Sequence, residues 1–291
     1  MNITCIWHGH NTLGESPLWD HRENALFWVD IYGCQLHRLR VEDGSYHSWT
    51  MPDKITSIGL KQGGGLVATF KSALVAIELP SGKITWLNEL LKNADNLRFN
   101  EGKCDRQGRY WAGTMDIQGK EPTGVLYQFD HKAQAIARDA DFAISNGIGW
   151  SPDNHTMYFT DTIARKIFQY DFDPESGCLS NRRLFATTPT DAGLPDGLAV
   201  DSQGDLWSAH SYGWRITRYA PDGSIKEVIP MPISRPTSCC FGGKNLNILY
   251  VTSARGNLSE ADLLRGPDAG GLFAMTTEVT GISETCYTYK S

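Results

Sequence analysis

The sequence predicts an all-β protein: a six-bladed β-propeller with four antiparallel strands per blade, closed by a terminal strand. Three observations carry that expectation. The first is a recurring phrase made of a polar residue, a short apolar run, a tight turn and an aromatic-rich run. Its six copies are ESPLWDHRENALFWVD from Glu15, TSIGLKQGGGLVAT from Thr56, NEGKCDRQGRYWAGTM from Asn100, NGIGWSPDNHTMYFTD from Asn146, DGLAVDSQGDLWSAH from Asp196 and TSCCFGGKNLNILYVTS from Thr237. The second is spacing, since the first positions lie 41, 44, 46, 50 and 41 residues apart, the length of one blade. The third is composition: 29 Gly, 13 Pro and 9 Trp in 291 residues call for many turns and aromatic packing.

Each phrase supplies two strands, and the chain behind it supplies the rest. In the fifth copy Asp201-Ser202-Gln203-Gly204 makes the turn, because Asp and Gly accept the backbone angles that a tight turn needs. RITRYAP (Arg215 to Pro221) and SIKEVIPM (Ser224 to Met231) follow, split by Pro221-Asp222-Gly223. After the fourth copy come KIFQYDFD (Lys166 to Asp173) and LSNRRLFA (Leu179 to Ala186). The sixth copy has GGLFAMTTE (Gly270 to Glu278) and then lacks one strand. Either ITCIWH (Ile3 to His8) or ETCYTY (Glu284 to Tyr289) is expected to complete it; the N-terminal strand would close the ring and hide sheet edges. Only LNELLKNA (Leu87 to Ala94) suggests a helical turn or two. Residues 1–291 read as one domain without a linker.

Bulk properties exclude several function classes. A content of 41% hydrophobic and 21% charged residues is ordinary for a globular protein. A net charge of -6 argues against nucleic acid or an anionic membrane as partner. No apolar run is long enough to span a bilayer, and MNITCIWHGHN lacks the pattern of a signal peptide. The 7 cysteines, an odd number without a CxxC pair, do not form a disulfide framework. A cytoplasmic location is therefore expected. Oligomeric state is not legible.

In a propeller the first strand of every blade lines the axis. Glu15, Thr56, Asn100, Asn146, Asp196 and Thr237 then converge on one channel mouth, and all six side chains carry oxygen. Two carboxylates and two amides in a small volume suit one hard divalent cation, Ca, Mg, Mn or Zn, which would also relieve the repulsion between Glu15 and Asp196. The alternative is that polar leading residues cap strands or bind channel water, as Thr56 and Thr237 suggest. Three ligands (Glu15, Asn146, Asp196) would leave a coordination position open for water or substrate. Arg98 and Asn100, in LRFNEGK, offer donors that match sugar oxygens.

The chain resembles the senescence marker protein-30, gluconolactonase and regucalcin family. The likeness runs from LGESPLWD and LFWVDI through RFNEGKCDRQGRYWAGTM, SNGIGWSPDNHTMYFTDT and LPDGLAVDSQGDLW to SRPTSCCFGG and LYVTSAR. It implies a six-bladed propeller that binds one divalent cation and hydrolyses aldonolactones. By motif the metal ligands fall on Glu15 in GESP, Asn146 in SNG and Asp196 in PDG, and the substrate contacts on Arg98 and Asn100 in RFN. A further substrate-side glutamate falls on Glu121. Glu101 departs from the pattern, since many members carry Asp there. The implied reaction is hydrolysis of a sugar lactone, with the carbonyl polarised by the cation and Asp196 as ligand and general base. Two rivals stand beside it: hydrolysis of other esters on the same scaffold, and a non-catalytic calcium-binding protein.

Other constellations carry less. His8 and His10 have metal-like spacing but fall on an outer strand, where surface histidines are the ordinary reading. His210 ends the second strand of its blade and reads as a satisfied or solvent-facing side chain. Cys239 and Cys240 point to opposite faces of a strand. No GxSxG elbow is present, and Gly63 to Gly65 lie in a hairpin turn, so serine-hydrolase and nucleotide-binding readings fail.

Overall fold

The computed structural model describes residues 2–290. It contains six antiparallel sheets of four strands in the predicted order, one of which gains a short fifth strand. Blade 1 runs Gly14–Asp20, Ala25–Asp30, Gln35–Arg40 and Tyr46–Thr50; the inner strands of blades 2 to 6 are Ile55–Lys61, Leu97–Cys104, Ser145–Trp150, Leu194–Val200 and Pro236–Gly242. Each inner strand packs against those of both neighbouring blades, and that of blade 6 against that of blade 1, so the ring is closed. The N-terminal strand Ile3–Trp7 completes blade 6 beside Leu272–Thr276, with Ile3 opposite Met275.

ETCYTY does something else. Cys286–Tyr287 pairs in parallel with the inner strand of blade 2, Cys286 opposite Leu60. The tail reaches that place by crossing the end of the ring where the inner strands finish. Thr280 accepts from the Ser202 amide of blade 5, Gly281 donates to Leu246 of blade 6, and Thr288 donates to Gly108 of blade 3. Inside the channel Glu284 pairs with Lys103 at 2.8 Å. LNELLKNA also differs from expectation: Leu87 and Asn88 finish the strand Ile84–Asn88, and turns follow. The helix lies instead at Glu260–Arg265, capped by Ser259, whose side chain accepts from the Asp262 amide. Among the described residues no helix is long and apolar enough to cross a membrane.

Hydrophobic burial fills the wedges between blades. Trp28, Trp111 and Trp207, on the second strands of blades 1, 3 and 5, are among the largest fully buried side chains. A tryptophan nitrogen in such a place needs an acceptor, and the turns of blades 3 and 5 provide one. Asp201 accepts from the Gln203 and Asp205 amides at 2.9 and 3.0 Å and from Trp207 Nε1 at 3.0 Å. Asp105 repeats the pattern with Gln107, Arg109 and Trp111. Gly108 and Gly204, at φ +77° and +90°, allow both turns to close. Arg218 also approaches Asp201, at 3.2 Å, in a setting that excludes water. Asp201→Ala is therefore expected to cost about 2–4 kcal/mol, because it leaves Trp207 Nε1 buried without an acceptor and removes the turn's two amide bonds, while Arg218 keeps Asp205 at 2.6 Å. Urea unfolding would measure this as a lower midpoint; a loss under about 1 kcal/mol would show that the turn tolerates an unpaired indole.

Candidate metal centre and cavity

All six inner strands share one irregularity. Their pairing with the second strand slips at 15/18, 55/57, 99/102, 146/148, 195/198 and 236/239. A bulge puts an extra residue on one strand and re-aims its side chains, and each bulge contains or adjoins the leading polar residue of its phrase. Gly197, inside one bulge, has no room for a side chain: an added Cβ would stand 2.4 Å from Ser238 Cβ. Gly147 adopts φ +33° beside Asn146. The local kinks, rather than ideal strand geometry, aim these residues at the axis.

The ring of six divides into four and two. Glu15, Asn100, Asn146 and Asp196 line one cavity of about 510 Å³ at the channel mouth, together with Arg98. Thr56 and Thr237 bond to neighbouring strands instead: Thr56 Oγ1 meets Thr69 Oγ1 at 2.8 Å within blade 2, and Thr237 Oγ1 meets Thr252 Oγ1 at 2.9 Å within blade 6 and donates to the Gly14 carbonyl of blade 1. Those two act as strand fasteners. Glu121 lies on the loop behind the strand Tyr110–Asp116, exposed and outside the cavity wall, to which Gln118 and Gly119 of that loop contribute.

The floor is electrostatically unsettled. Asp196 is 6% exposed, and its Oδ1 is buried without a hydrogen-bond partner. Glu15 is equally buried; its Oε2 accepts only from the adjacent Ser16 amide, at 3.2 Å. Glu101 lies just below and accepts from Gly102. Burial pushes Asp196 up to about 8 against the pull of Arg235 and with the push of Glu101. Burial lifts Glu101 to about 7, and burial followed by the charges of Asp196 and Glu101 holds Glu15 well above the usual carboxylate range. Asn146 Nδ2 donates to Thr162 Oγ1 at 3.0 Å. Two acids, one of them with an orphaned carboxylate oxygen, and one amide fit a hard divalent cation, with Glu15, Asn146 and Asp196 as holders.

Above the floor, Arg98 Nη1 donates to the Phe99 carbonyl at 2.9 Å and to Asn100 Oδ1 at 2.7 Å. Asn100 Nδ2 donates to the Ser145 carbonyl at 2.8 Å, pinning blade 3 to blade 4. Asn100 thus orients Arg98 as well as lining the wall. Of the histidines, His8 is exposed and pairs with Asp268 at 2.8 Å, and His10 is exposed. His210 is buried, bonded through Nδ1 to the Ala192 carbonyl at 2.9 Å, and burial pushes it down to about 4. Sequence reasoning missed Arg235, which lines the same cavity. The available signal was its register: it stands two residues before Thr237, as Arg98 stands two before Asn100.

Fold and cavity together define a six-bladed propeller with a buried acidic site on its axis. The chain belongs to the SMP-30/gluconolactonase/LRE-like family, whose model matches residues 13–255. It is 35% identical over 288 residues to the 6-deoxy-6-sulfogluconolactonase of Pseudomonas putida, covering 98% of each chain. It is also 35% identical over 284 residues to the regucalcin of Oryctolagus cuniculus, covering 95% of this chain and 94% of that one. Among solved structures, a calcium-binding protein, regucalcin, from Agrobacterium tumefaciens superposes with a TM-score of 0.93 at 26% identity, over 97% and 96% of the two chains.

Proposed function

We propose that this chain hydrolyses a sugar aldonolactone to the aldonic acid with the help of one divalent cation. The observation that carries the reading is Asp196 Oδ1, buried and bare beside Glu15 and Asn146 on the cavity floor. Membership of the family and a relative named as a lactonase support it. Glu15, Asn146 and Asp196 are the residues that would hold the ion, with Ca, Mg, Mn and Zn all compatible with oxygen donors. When bound, such an ion supplies Lewis-acid polarisation of the ester carbonyl and a counter-charge for the oxyanion.

The chain's own side chains supply the rest. Asp196 directs a water at the carbonyl carbon and accepts its proton. As the new C–O bond forms and the ring C–O bond breaks, that proton passes to the departing ring oxygen, leaving an open-chain acid. Arg98, held by Phe99 and Asn100, presents donors to the sugar oxygens and fixes the ring in place. Glu121 is a candidate substrate contact from the rim. Seven free cysteines support a reducing, cytoplasmic setting.

The test is a panel of aldonolactones followed by pH-stat, with and without chelator. Turnover that chelator removes and added cation restores is expected. Inactivity on every lactone, with tight Ca binding retained, would favour the non-catalytic reading suggested by the relative described as calcium-binding.

A further inference from the structure

Arg98 and Arg235 occupy matching places in blades 3 and 6, two residues ahead of the leading residue of each phrase. In a ring of six those blades stand opposite one another, so two guanidiniums flank one cavity from opposite sides of the axis. The matching positions in blades 1, 4 and 5 are Leu13, Ile144 and Leu194, apolar residues of the same wall. Blade 2 carries Lys54, whose Nζ lies 5.4 Å from the ring centre of Tyr32, another wall residue.

Arg235 is held as a receptor would be. Its Nε donates to Ser211 Oγ at 3.2 Å, and Nη1 donates to the Gly256 carbonyl. Its guanidinium carbon stacks 4.5 Å from the Tyr212 ring centre. Nη2 has no protein partner among the described residues, and neither arginine forms a salt bridge there. The charge balance of the wall gives this arrangement a purpose. Glu15 and Asp196 offset Arg98 and Arg235, and below them Lys103 pairs with Glu284 at 2.8 Å, which leaves the one negative charge of Glu101 over. A divalent cation on the floor then leaves the cavity and its base with an excess of one positive charge. A neutral lactone would leave that excess unanswered.

We propose that the cavity selects lactones bearing an anionic substituent remote from the ring ester (phosphate, sulfonate or carboxylate), with Arg235 as its receptor. This rests on the lactonase reading. A planar guanidinium with a free edge suits a tetrahedral or carboxylate anion through charge-assisted hydrogen bonds. The Pseudomonas putida relative is named for a sulfonated lactone.

The experiment compares kcat/KM for a neutral aldonolactone with its 6-phospho, 6-sulfo and 6-carboxy counterparts, in wild type, Arg235→Gln and Arg235→Lys. At least one anionic substrate is expected to be preferred, by at least about tenfold; Arg235→Gln should erase that preference and Arg235→Lys keep part of it. The three anionic arms identify which group is received. A second readout needs no turnover: calorimetric titration of the Mn-loaded protein with the unsubstituted aldonate and with its 6-phospho, 6-sulfo and 6-carboxy counterparts should show the same selectivity for the second anionic group and its loss in Arg235→Gln. Lactone turnover without anionic preference, or a preference unchanged in Arg235→Gln, overturns this inference and leaves the lactonase reading intact. Anion-selective aldonate binding without turnover of any lactone would instead sink the lactonase reading and keep Arg235 as receptor.

Discussion

Asp196→Ala is expected to lower lactone turnover by at least about a thousandfold, because one residue serves as both ion holder and proton acceptor. The same change should weaken divalent-cation affinity in a calorimetric titration. It should also leave the cation-free protein more heat-stable than wild type. The bare Oδ1 disappears, and Glu15 loses one of the two acidic neighbours that raise it. Lost activity with gained stability is the signature of a functional site that opposes folding, and it separates loss of chemistry from loss of fold. Asp196→Asn would retain an oxygen donor without the charge. Full activity of Asp196→Ala with cation bound would end its catalytic assignment.

The second large effect is the dependence of cation-induced stabilisation on pH. In the cation-free fold Glu15, Glu101 and Asp196 are all raised, the last two to about 7 and about 8. The folded state therefore holds protons that the unfolded chain has already lost, so stability falls as pH rises from the ordinary carboxylate range through 7 and 8. His37 and His210, both pushed down to about 4 by burial, act in the other direction. Their contribution is complete above about 6.5 and is lost as pH falls toward 4. The histidines lie outside the cavity wall and titrate alike with or without the ion. A bound cation replaces the protons of the acids and removes their opposition to folding. The gain in Tm on adding cation should therefore be small near pH 5, grow through pH 7 and level off above pH 8. At the plateau the corresponding gain in unfolding free energy should be on the order of 5 kcal/mol. A gain that is flat across this range would mean that Glu15 and Asp196 do not hold the ion.

The blades were legible because three signals agreed: turn residues at fixed offsets, apolar alternation, and a repeat near the length of a blade. The position of the floor residues followed, since the leading residue of an inner strand has one place to go. What each does there was not equally legible. Thr56 and Asp196 hold the same place in the repeat, yet Thr56 bonds back to Thr69 whereas the Asp196 carboxylate reaches the cavity. Rotamer and bulge decide that difference, and neither is written in a repeat. Arg235 escaped notice because its position becomes meaningful only once opposite blades are paired. The helix Glu260–Arg265 is short, has no buried residue and rests on its Ser259 cap, so it left no apolar periodicity to read. LNELLKNA showed the reverse, helix-forming residues overruled by a strand edge. The destination of the tail depended on contacts with four blades, a long-range matter that no local pattern reports.

The pairing of Ile3 with Met275 has a consequence for biosynthesis. The segment that finishes the final sheet is made well before the rest of it, and its partner follows 272 residues later. At about 5–20 residues per second the wait is roughly 14–55 s. Through that interval the nascent protein carries an unmatched β-segment, and a transcript cut short before the strand Leu272–Thr276 is encoded would deprive it of a partner altogether.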